Sequence, residues 1–401
     1  MKEYLTSTRI LGGRSPNFAI VEKSAHKFAV RLCLIYLLHF DSPSSLYEGV
    51  HEDYPSLRYA AQFWPQHFHD SFSEEGDTVE YELMKKLFDP RPSIRVAFTN
   101  WLRIYDADYP GSGYIGRRNF IGFDDRTNFS HPLYFSSLLG FHQLTLWLLQ
   151  GGASVNQDNE EGVQRTALAA AACNGHESIV RLLLAEGAEV NTAEGKYGTA
   201  LHIAALHGHE NVVRLLLSNG AIINKSIGIY GTALQCAAFP GHEEIVQLLL
   251  DRGAEVNGPP TGHFGTALQA GAFRGHLNVV KNLLAHNADV NSVGGCYGTA
   301  LQAVSFGGYP QGAAVDSVVS LLLDSGTDIN AVTGAFGTAL QGAAAAGNVS
   351  VVQLLLARGA DVNAIGGRYG TALKAASERR NGDIVRMLLE KGARIPEGMD
   401  I

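Results

Sequence analysis

The tripeptide Thr-Ala-Leu occurs seven times, at Thr166, Thr199, Thr232, Thr266, Thr299, Thr338 and Thr371. The successive steps are 33, 33, 34, 33, 39 and 33 residues. A fixed period of this size belongs to chains that stack one small structural element on itself. Such a chain offers a long surface built from short pieces, whereas catalysis asks for a deep pocket with converging polar groups. The period points to recognition before chemistry.

One copy, Gly198 to Asn224, shows the local physics. Thr199 has the side chain of a helix N-cap, and the short helix after it carries Leu201, Ala204 and Ala205 on one face. Gly208-His209 turns the chain. A second helix sets Val212, Val213, Leu215, Leu216 and Leu217 on a broad apolar face, and Gly220 ends it. Ala221 to Tyr230 reads as an extended loop. Neither helix is long enough to stand alone in water, so each copy must lean on its neighbours.

The leucine triplet recurs at 182–184, 215–217, 248–250, 321–323 and 354–356, and copies close on Asn156, Asn191, Asn224, Asn257, Asn291, Asn330 and Asn363. A degenerate first copy begins near Ser130-His131-Pro132-Leu133, which makes eight. The eighth abandons the closing Asn and is rich in charge, as the terminal copy of a stack must be.

These residues resemble the ankyrin repeat. Thr199-Ala-Leu-His202 and His131-Pro132-Leu133 echo the family's Thr-Pro-Leu-His, and the Gly-His pairs and Gly-Ala-x-Val-Asn endings agree with it. The departures are regular: Ala stands for Pro after the Thr, and Gln235, Gln269, Gln302 and Gln341 stand where the family has a helix-opening His. The resemblance implies an all-α solenoid of eight helix-turn-helix units with extended hairpin loops over residues 130–396. It also implies a non-catalytic module that binds a protein partner on its concave face, without a cofactor.

In such arrays the concave face is made by the loop tips and the ends of the first helices. Comparing the eight copies with each other picks out Lys196, Ile229, His263 and Cys296 at the tips. At the helix ends the same comparison picks out Leu206, His207, Phe239, Phe273, Arg274 and Phe306. These ten are the candidate partner-binding residues. The three phenylalanines share one register and have two readings: a stripe of binding anchors beside Arg274 and His207, or packing beneath adjacent loops. The ladder Tyr197, Tyr230, Phe264, Tyr297, Phe336 and Tyr369 is too regular to encode specificity and reads as loop-to-loop packing. His176, His209, His242 and His276 fall one per copy, too far apart to share a metal ion, and read as turn caps. Six extra residues within 307–316 read as an inserted loop between the two helices of the sixth copy.

Bulk properties narrow the classes further. Lys and Arg number 31 against 39 Asp and Glu, a net charge of −8 that is spread along the chain. That is not the basic field of a nucleic-acid binder. The four cysteines stand singly, with no paired spacing for zinc or a disulfide framework, which suits a reducing compartment. The most apolar stretch, Phe28 to Phe40, contains Arg31 and is too short for a bilayer. The expectation is a cytoplasmic protein, with the nucleus as the second compartment.

The first 130 residues lack the period. Helical patterns cover 20–40, 56–72, 79–87 and 93–105, and aromatics are dense at Tyr59, Phe63, Trp64, Phe68 and Phe72. The expected organisation is a helical domain over 1–110, a linker over 111–129 and the array over 130–396. Met1-Lys-Glu-Tyr-Leu5 with His26 and Cys33-Leu-Ile-Tyr-Leu-Leu38 resembles the end of the winged-helix region in fungal NACHT-type ATPases. Leu57-Arg-Tyr-Ala-Ala-Gln-Phe-Trp-Pro-Gln-His67 resembles the helix after it. No Gly-x-x-x-x-Gly-Lys-Ser/Thr phosphate loop exists in the chain, so that family's ATPase activity is not carried over. The resemblance implies the C-terminal part of an NLR-like protein, a natural short form or a truncated one, with the array as adaptor or sensor arm and oligomerisation open through the N-terminal region. The alternative is an ankyrin-type transcriptional co-regulator in the nucleus. No hydrolase or protease motif argues for an enzyme.

Overall fold

A computed structural model of the chain describes residues 22–41, 54, 56–71, 78–91, 96–107, 131–157, 166–193, 197–307 and 312–395. Among them are 20 α-helices and no strand beyond isolated bridges. The expected linker 111–129 and the segment 1–5 of the NACHT likeness lie outside the described residues. Among the described residues, no helix is long and apolar enough to cross a membrane. The chain forms two compact bodies. One holds the N-terminal helices with the first repeat and most of the second; the other holds 172–177 and everything from 189 on.

Sixteen of the helices pair into eight repeats. The first helices are Pro132–Leu138, Ala167–Cys173, Ala200–His207, Ala233–Ala238, Ala267–Phe273, Ala300–Phe306, Ala339–Ala346 and Ala372–Glu378. The second helices are His142–Gln150, Glu177–Ala185, Glu210–Ser218, Glu243–Asp251, Leu277–Ala285, Ala313–Asp324, Val349–Ala357 and Gly382–Glu390. The third repeat buries all of Ala200 to Ala205, not one face of that helix, while its second helix buries Val212, Val213 and Leu216. Each buried Val or Leu contributes about 1.5–3 kcal/mol, and only stacking makes that burial available. The insertion in the sixth repeat is not all loop. Its second helix starts at Ala313 and runs 12 residues against nine in its neighbours, so Ala313 to Val315 extend the helix; 308–311 lie outside the described residues.

Within the second body, three polar devices tie successive repeats together. The first uses the Thr/Gln pair. Gln341 Oε1 accepts from the Thr338 N–H at 2.7 Å, and Thr338 Oγ1 accepts from the Gln341 N–H at 3.3 Å, a closed capping box. The same amide then donates from Nε2 to Ala364 O at 2.9 Å and Gly370 O at 2.7 Å, both in the next hairpin. Gln235 does likewise to Thr261 O and Gly265 O. His202 shows why the family's His and this chain's Gln are interchangeable here. Its Nδ1 accepts from the Thr199 N–H at 3.2 Å while Nε2–H donates to Lys225 O at 2.9 Å.

The second device is the closing Asn. Asn257 Nδ2 donates to Asn287 O at 2.7 Å, and its Oδ1 accepts from the Asp289 N–H at 2.8 Å, one repeat on. Asn191, Asn224, Asn291 and Asn363 make the same pair of bonds. The third is the capping His. His209, His242 and His276 each place Nε2 at 2.9–3.2 Å from the last-turn carbonyl of the preceding first helix: Cys173, Leu206 and Phe239. Gly241, at φ +92°, packs against the His276 ring, and a Cβ there would sit 2.6 Å from Nδ1. The Gly-His pair is therefore a contact between successive repeats, and each of these three imidazoles is engaged as a cap.

The N-terminal body is built on aromatic packing. Helices α1 (Glu22–Leu38), α2 (Leu57–Ser71), α3 (Val79–Leu87) and α4 (Val96–Ala107) surround Trp64, Phe88, Phe98 and Trp101, all at most 1% exposed. Trp101 Nε1 donates to Ala61 O at 3.1 Å, and Asn100 Nδ2 to Phe40 O at 3.0 Å. The first repeat completes this core. Phe141 occupies the capping-His position and lies 5.3 Å from the Trp64 ring, while Phe135 lies 5.8 Å from Trp101. His69 of α2 reaches the Leu139 carbonyl at 2.6 Å. The first copy departs from the repeat pattern because its neighbour is a helical domain and not another repeat.

Two measurements check the amide device. Gln341→Ala removes the side-chain partner of the buried Thr338 N–H and of the Ala364 carbonyl, while Gly370 O keeps the Gly366 N–H, and costs about 2–3 kcal/mol in urea unfolding. Lys374→Ala, at the equivalent but exposed position of the eighth repeat, changes stability by no more than about 0.5 kcal/mol. Burial, opposed by hydrogen bonds to the Lys225 and Gly231 carbonyls and aided by the Lys225 charge, lowers the His202 pKa from 6.5 to about 4. The unfolded chain thus takes up the proton first. Stability from this group is complete above pH 6.5 and is lost as pH falls towards 4, by about 3 kcal/mol in all. His202→Gln keeps both bonds without titrating, so its stability falls less than the wild type's between pH 7 and 4.5.

Candidate protein-binding face

The five hairpin tips between repeats three and eight are joined by backbone. The His263 N–H donates to Ile229 O at 2.7 Å, Cys296 N–H to His263 O at 2.9 Å, Ala335 N–H to Cys296 O at 3.1 Å and Arg368 N–H to Ala335 O at 3.0 Å. Each hairpin is pinched by one antiparallel bridge, such as Thr261 with Gly265 and Gly294 with Gly298. With their backbone groups consumed in this ladder, the tip residues Ile229, His263, Cys296, Ala335 and Arg368 leave their side chains exposed.

Behind the tips runs a column of rings. Tyr230, Phe264, Tyr297, Phe336 and Tyr369 follow each other at 5.9–6.4 Å between centroids, with planes inclined 9–25°. The three helix-end phenylalanines fill the gaps. Phe239 touches Tyr230 at 5.4 Å and Phe264 at 4.8 Å; Phe273 touches Phe264 at 5.1 Å and Tyr297 at 4.6 Å; Phe306 touches Tyr297 at 5.9 Å and Phe336 at 3.8 Å. The two aromatic series, separate in the sequence, interleave in one stack. Aromatic pairs of this kind contribute about 0.5–1.5 kcal/mol each beyond burial. Phe239, Phe273 and Phe306 are half-buried, so each packs between loops and keeps an edge in solvent.

Two guanidinium groups lie on the column. Arg274 is 5.3 Å from the Phe239 ring centre, and Arg368 is 5.7 Å from Phe336 and 5.1 Å from Tyr369. The exposed Cys296 thiol sits 3.5 Å from His263 Nδ1, whose Nε2 faces the Tyr297 hydroxyl at 3.4 Å. Burial, with the neighbouring Cys296, raises the Tyr297 pKa.

Of the ten residues singled out in the sequence, Lys196 lies outside the described residues. Ile229, His263 and Cys296 share the tip ladder; Phe239, Phe273 and Phe306 share the column; Arg274 covers it. Leu206 and His207 are half-buried one repeat earlier, where His207 Nδ1 pairs with Ile203 O at 2.9 Å and its ring stacks 6.4 Å from His209. Arg368 holds the same tip position in the eighth copy and, though not among the ten, lies on the column, as do the exposed edges of the ladder. A constant interval of nine residues (Tyr230 to Phe239, Phe264 to Phe273, Tyr297 to Phe306) is the signal that joins the two series.

Comparison with family models agrees with this architecture. The family model described as ankyrin repeats matches in three copies, over residues 133–227, 224–294 and 310–397. An azaphilone pigments biosynthesis cluster protein L from Monascus ruber is 33% identical over 203 residues, 47% of this chain. The chain spans 40% of the length of that curated relative. The crystal structure of the human ASB11 ankyrin repeat domain aligns along all of its own length and 58% of this chain, with 27% identity and a TM-score of 0.48.

Thiol labelling checks the geometry of the tips. Burial raises the pKa values of Cys33 and Cys173 to about 11 and that of Cys236 as well, while Cys296 is exposed. The native chain takes up one equivalent of maleimide quickly at pH 7, and Cys296→Ser abolishes that fast phase.

Proposed function

Because the chain belongs to the ankyrin repeat family, we propose that it is a non-catalytic protein-recognition module that holds a partner polypeptide against the loop-tip and first-helix face. The observation that carries this reading is the ring column, which packs the hairpins and still leaves aromatic edges, two arginines and the tip side chains in solvent. Aromatic and Arg side chains on a rigid support are the usual energetic centres of protein interfaces. Lys196, Leu206, His207, Ile229, Phe239, His263, Phe273, Arg274, Cys296 and Phe306 are the proposed contact residues. Engagement of His209, His242 and His276 as caps supports the non-catalytic reading.

We further read the chain as the adaptor or sensor arm of a fungal NLR-like protein, with a helical domain over 1–110, a linker over 111–129 and the array over 130–396. Its likeness to a fungal relative supports that setting. The two NACHT-like segments also meet: His26 Nδ1 lies 2.8 Å from His67 Nδ1, and the Tyr59 hydroxyl lies 2.6 Å from His67 Nε2. The N-terminal region is the proposed site of any oligomerisation, and the cytoplasm is the proposed compartment.

A photo-crosslinker carried on the native Cys296 thiol tests the recognition reading in a fungal extract. A Cys296→Ser, Asp251→Cys chain carries the same group on a second helix as control. A protein crosslinked from 296 and not from 251 is the expected result; equal capture from both, or none, ends the reading. A tagged full chain found in the nucleus replaces the NLR-like reading with that of a transcriptional co-regulator.

A further inference from the structure

We propose that the recognition face takes an acidic segment of its partner in extended conformation, with carboxylates seated on Arg274 and Arg368. This rests on the reading of the array as a recognition module and names the chemistry of what it recognises.

The charges of the array are sorted by position within the repeat. Residues 225–240, 258–274, 292–307 and 331–346, which run through the hairpin and the first helix, contain no Asp or Glu, and 364–377 contain none before the exposed Glu378 that ends the eighth repeat's first helix. The intervening segments carry the acids, among them Glu243, Glu244, Asp251 and Glu255 in one repeat and Asp316, Asp324 and Asp328 in another. In a chain of net charge −8, these segments leave the hairpins and first helices of repeats four to seven without negative charge, and Glu378 stands at the end of the eighth. The four cations they hold divide in two. Lys225 is spent on Asn191 O at 2.7 Å, and Lys374 lies 3.8 Å from Glu378. Arg274 and Arg368 are exposed, and among the described residues neither has a carboxylate at ion-pair distance. A guanidinium held over a ring keeps its edge donors for a carboxylate, which it grips with two parallel bonds.

Spacing adds a constraint. Arg274 lies over Phe239, in the interval between Tyr230 and Phe264, and Arg368 lies over the pair Phe336 and Tyr369. Three ring spacings of about 6 Å separate these intervals. An extended chain rises about 3.3 Å per residue, so it advances one ring for every two residues and spans the arginines in about five or six. Between them lie Phe273, Tyr297 and Phe306, which suit apolar or aromatic side chains.

Random dodecapeptides displayed on phage and selected on the immobilised full chain at physiological salt test this. The enriched sequences are expected to carry two acidic positions five or six apart with apolar residues between. A synthetic peptide from that set is expected to weaken roughly tenfold or more with Arg274→Glu or Arg368→Glu, and to weaken as salt rises. Both arginines are exposed, so circular dichroism should show the fold unchanged. Neutral or basic sequences that survive the double reversal overturn the inference and leave the recognition reading standing. No enrichment over the bare matrix overturns both. Oligothymidylate of similar length is expected not to bind; its retention by the wild type and loss in the double variant assigns the face to nucleic acid instead and overturns the inference.

Discussion

A helix of seven or nine residues cannot pay for its own nucleation in water, and every feature of the array answers that deficit. The answer is a set of bonds that each repeat makes only with its neighbour. Gln341 closes its own helix N-terminus and reaches into the following hairpin with the other end of the same amide. The closing Asn donates and accepts across the same junction, as Asn257 does with Asn287 and Asp289. These groups would be costly if buried without partners, so they fix the stacking register as well as its strength.

That dependence explains why the ends look different. A repeat with no repeat before it has no use for a capping His, and the first copy has Phe141 there, set into the aromatic core around Trp64. At the eighth repeat Lys374 takes the Gln position, and Pro396 stands where the period places the closing Asn. Lys374 is exposed where its counterparts Gln235, Gln269, Gln302 and Gln341 are buried and bonded to the next hairpin.

Much of the fold could be read from the chain because the period repeats the same local signals. Thr N-caps, apolar spacing and turn glycines need only near neighbours in sequence, and eight copies make them unmistakable. What stayed hidden is whatever depends on atoms a whole repeat away. Nothing in Gln235 itself announces Thr261 O and Gly265 O as its partners, although its recurrence at Gln269, Gln302 and Gln341 shows that some partner recurs. The ring column was hidden for the same reason. Whether Phe273 faces solvent or packs depends on Phe264 and Tyr297, and in fact it does both. In the N-terminal domain no period exists, so helices could be placed but not their packing. The sequence alone assigns the insertion of the sixth repeat to a loop, because a change of length carries no sign of which element absorbs it.

The interleaved column also sets a limit on how the face can vary. Since Phe239, Phe273 and Phe306 each bridge two hairpins, a substitution there changes hairpin packing together with any contact a partner makes. Stability and recognition are tied at these positions. The tips and Arg274 are different: the tip backbones serve the ladder, the two arginine side chains touch the column only through cation–π contacts at the surface, and His263 alone of the other tips rests on it, against Phe264 and Tyr297. Isoleucine, histidine, cysteine, alanine and arginine all occupy the tip position without disturbing the hydrogen bonds below them. Charge and size at the tips can therefore change while the aromatic scaffold stays constant, and any specificity this array has is most freely altered there.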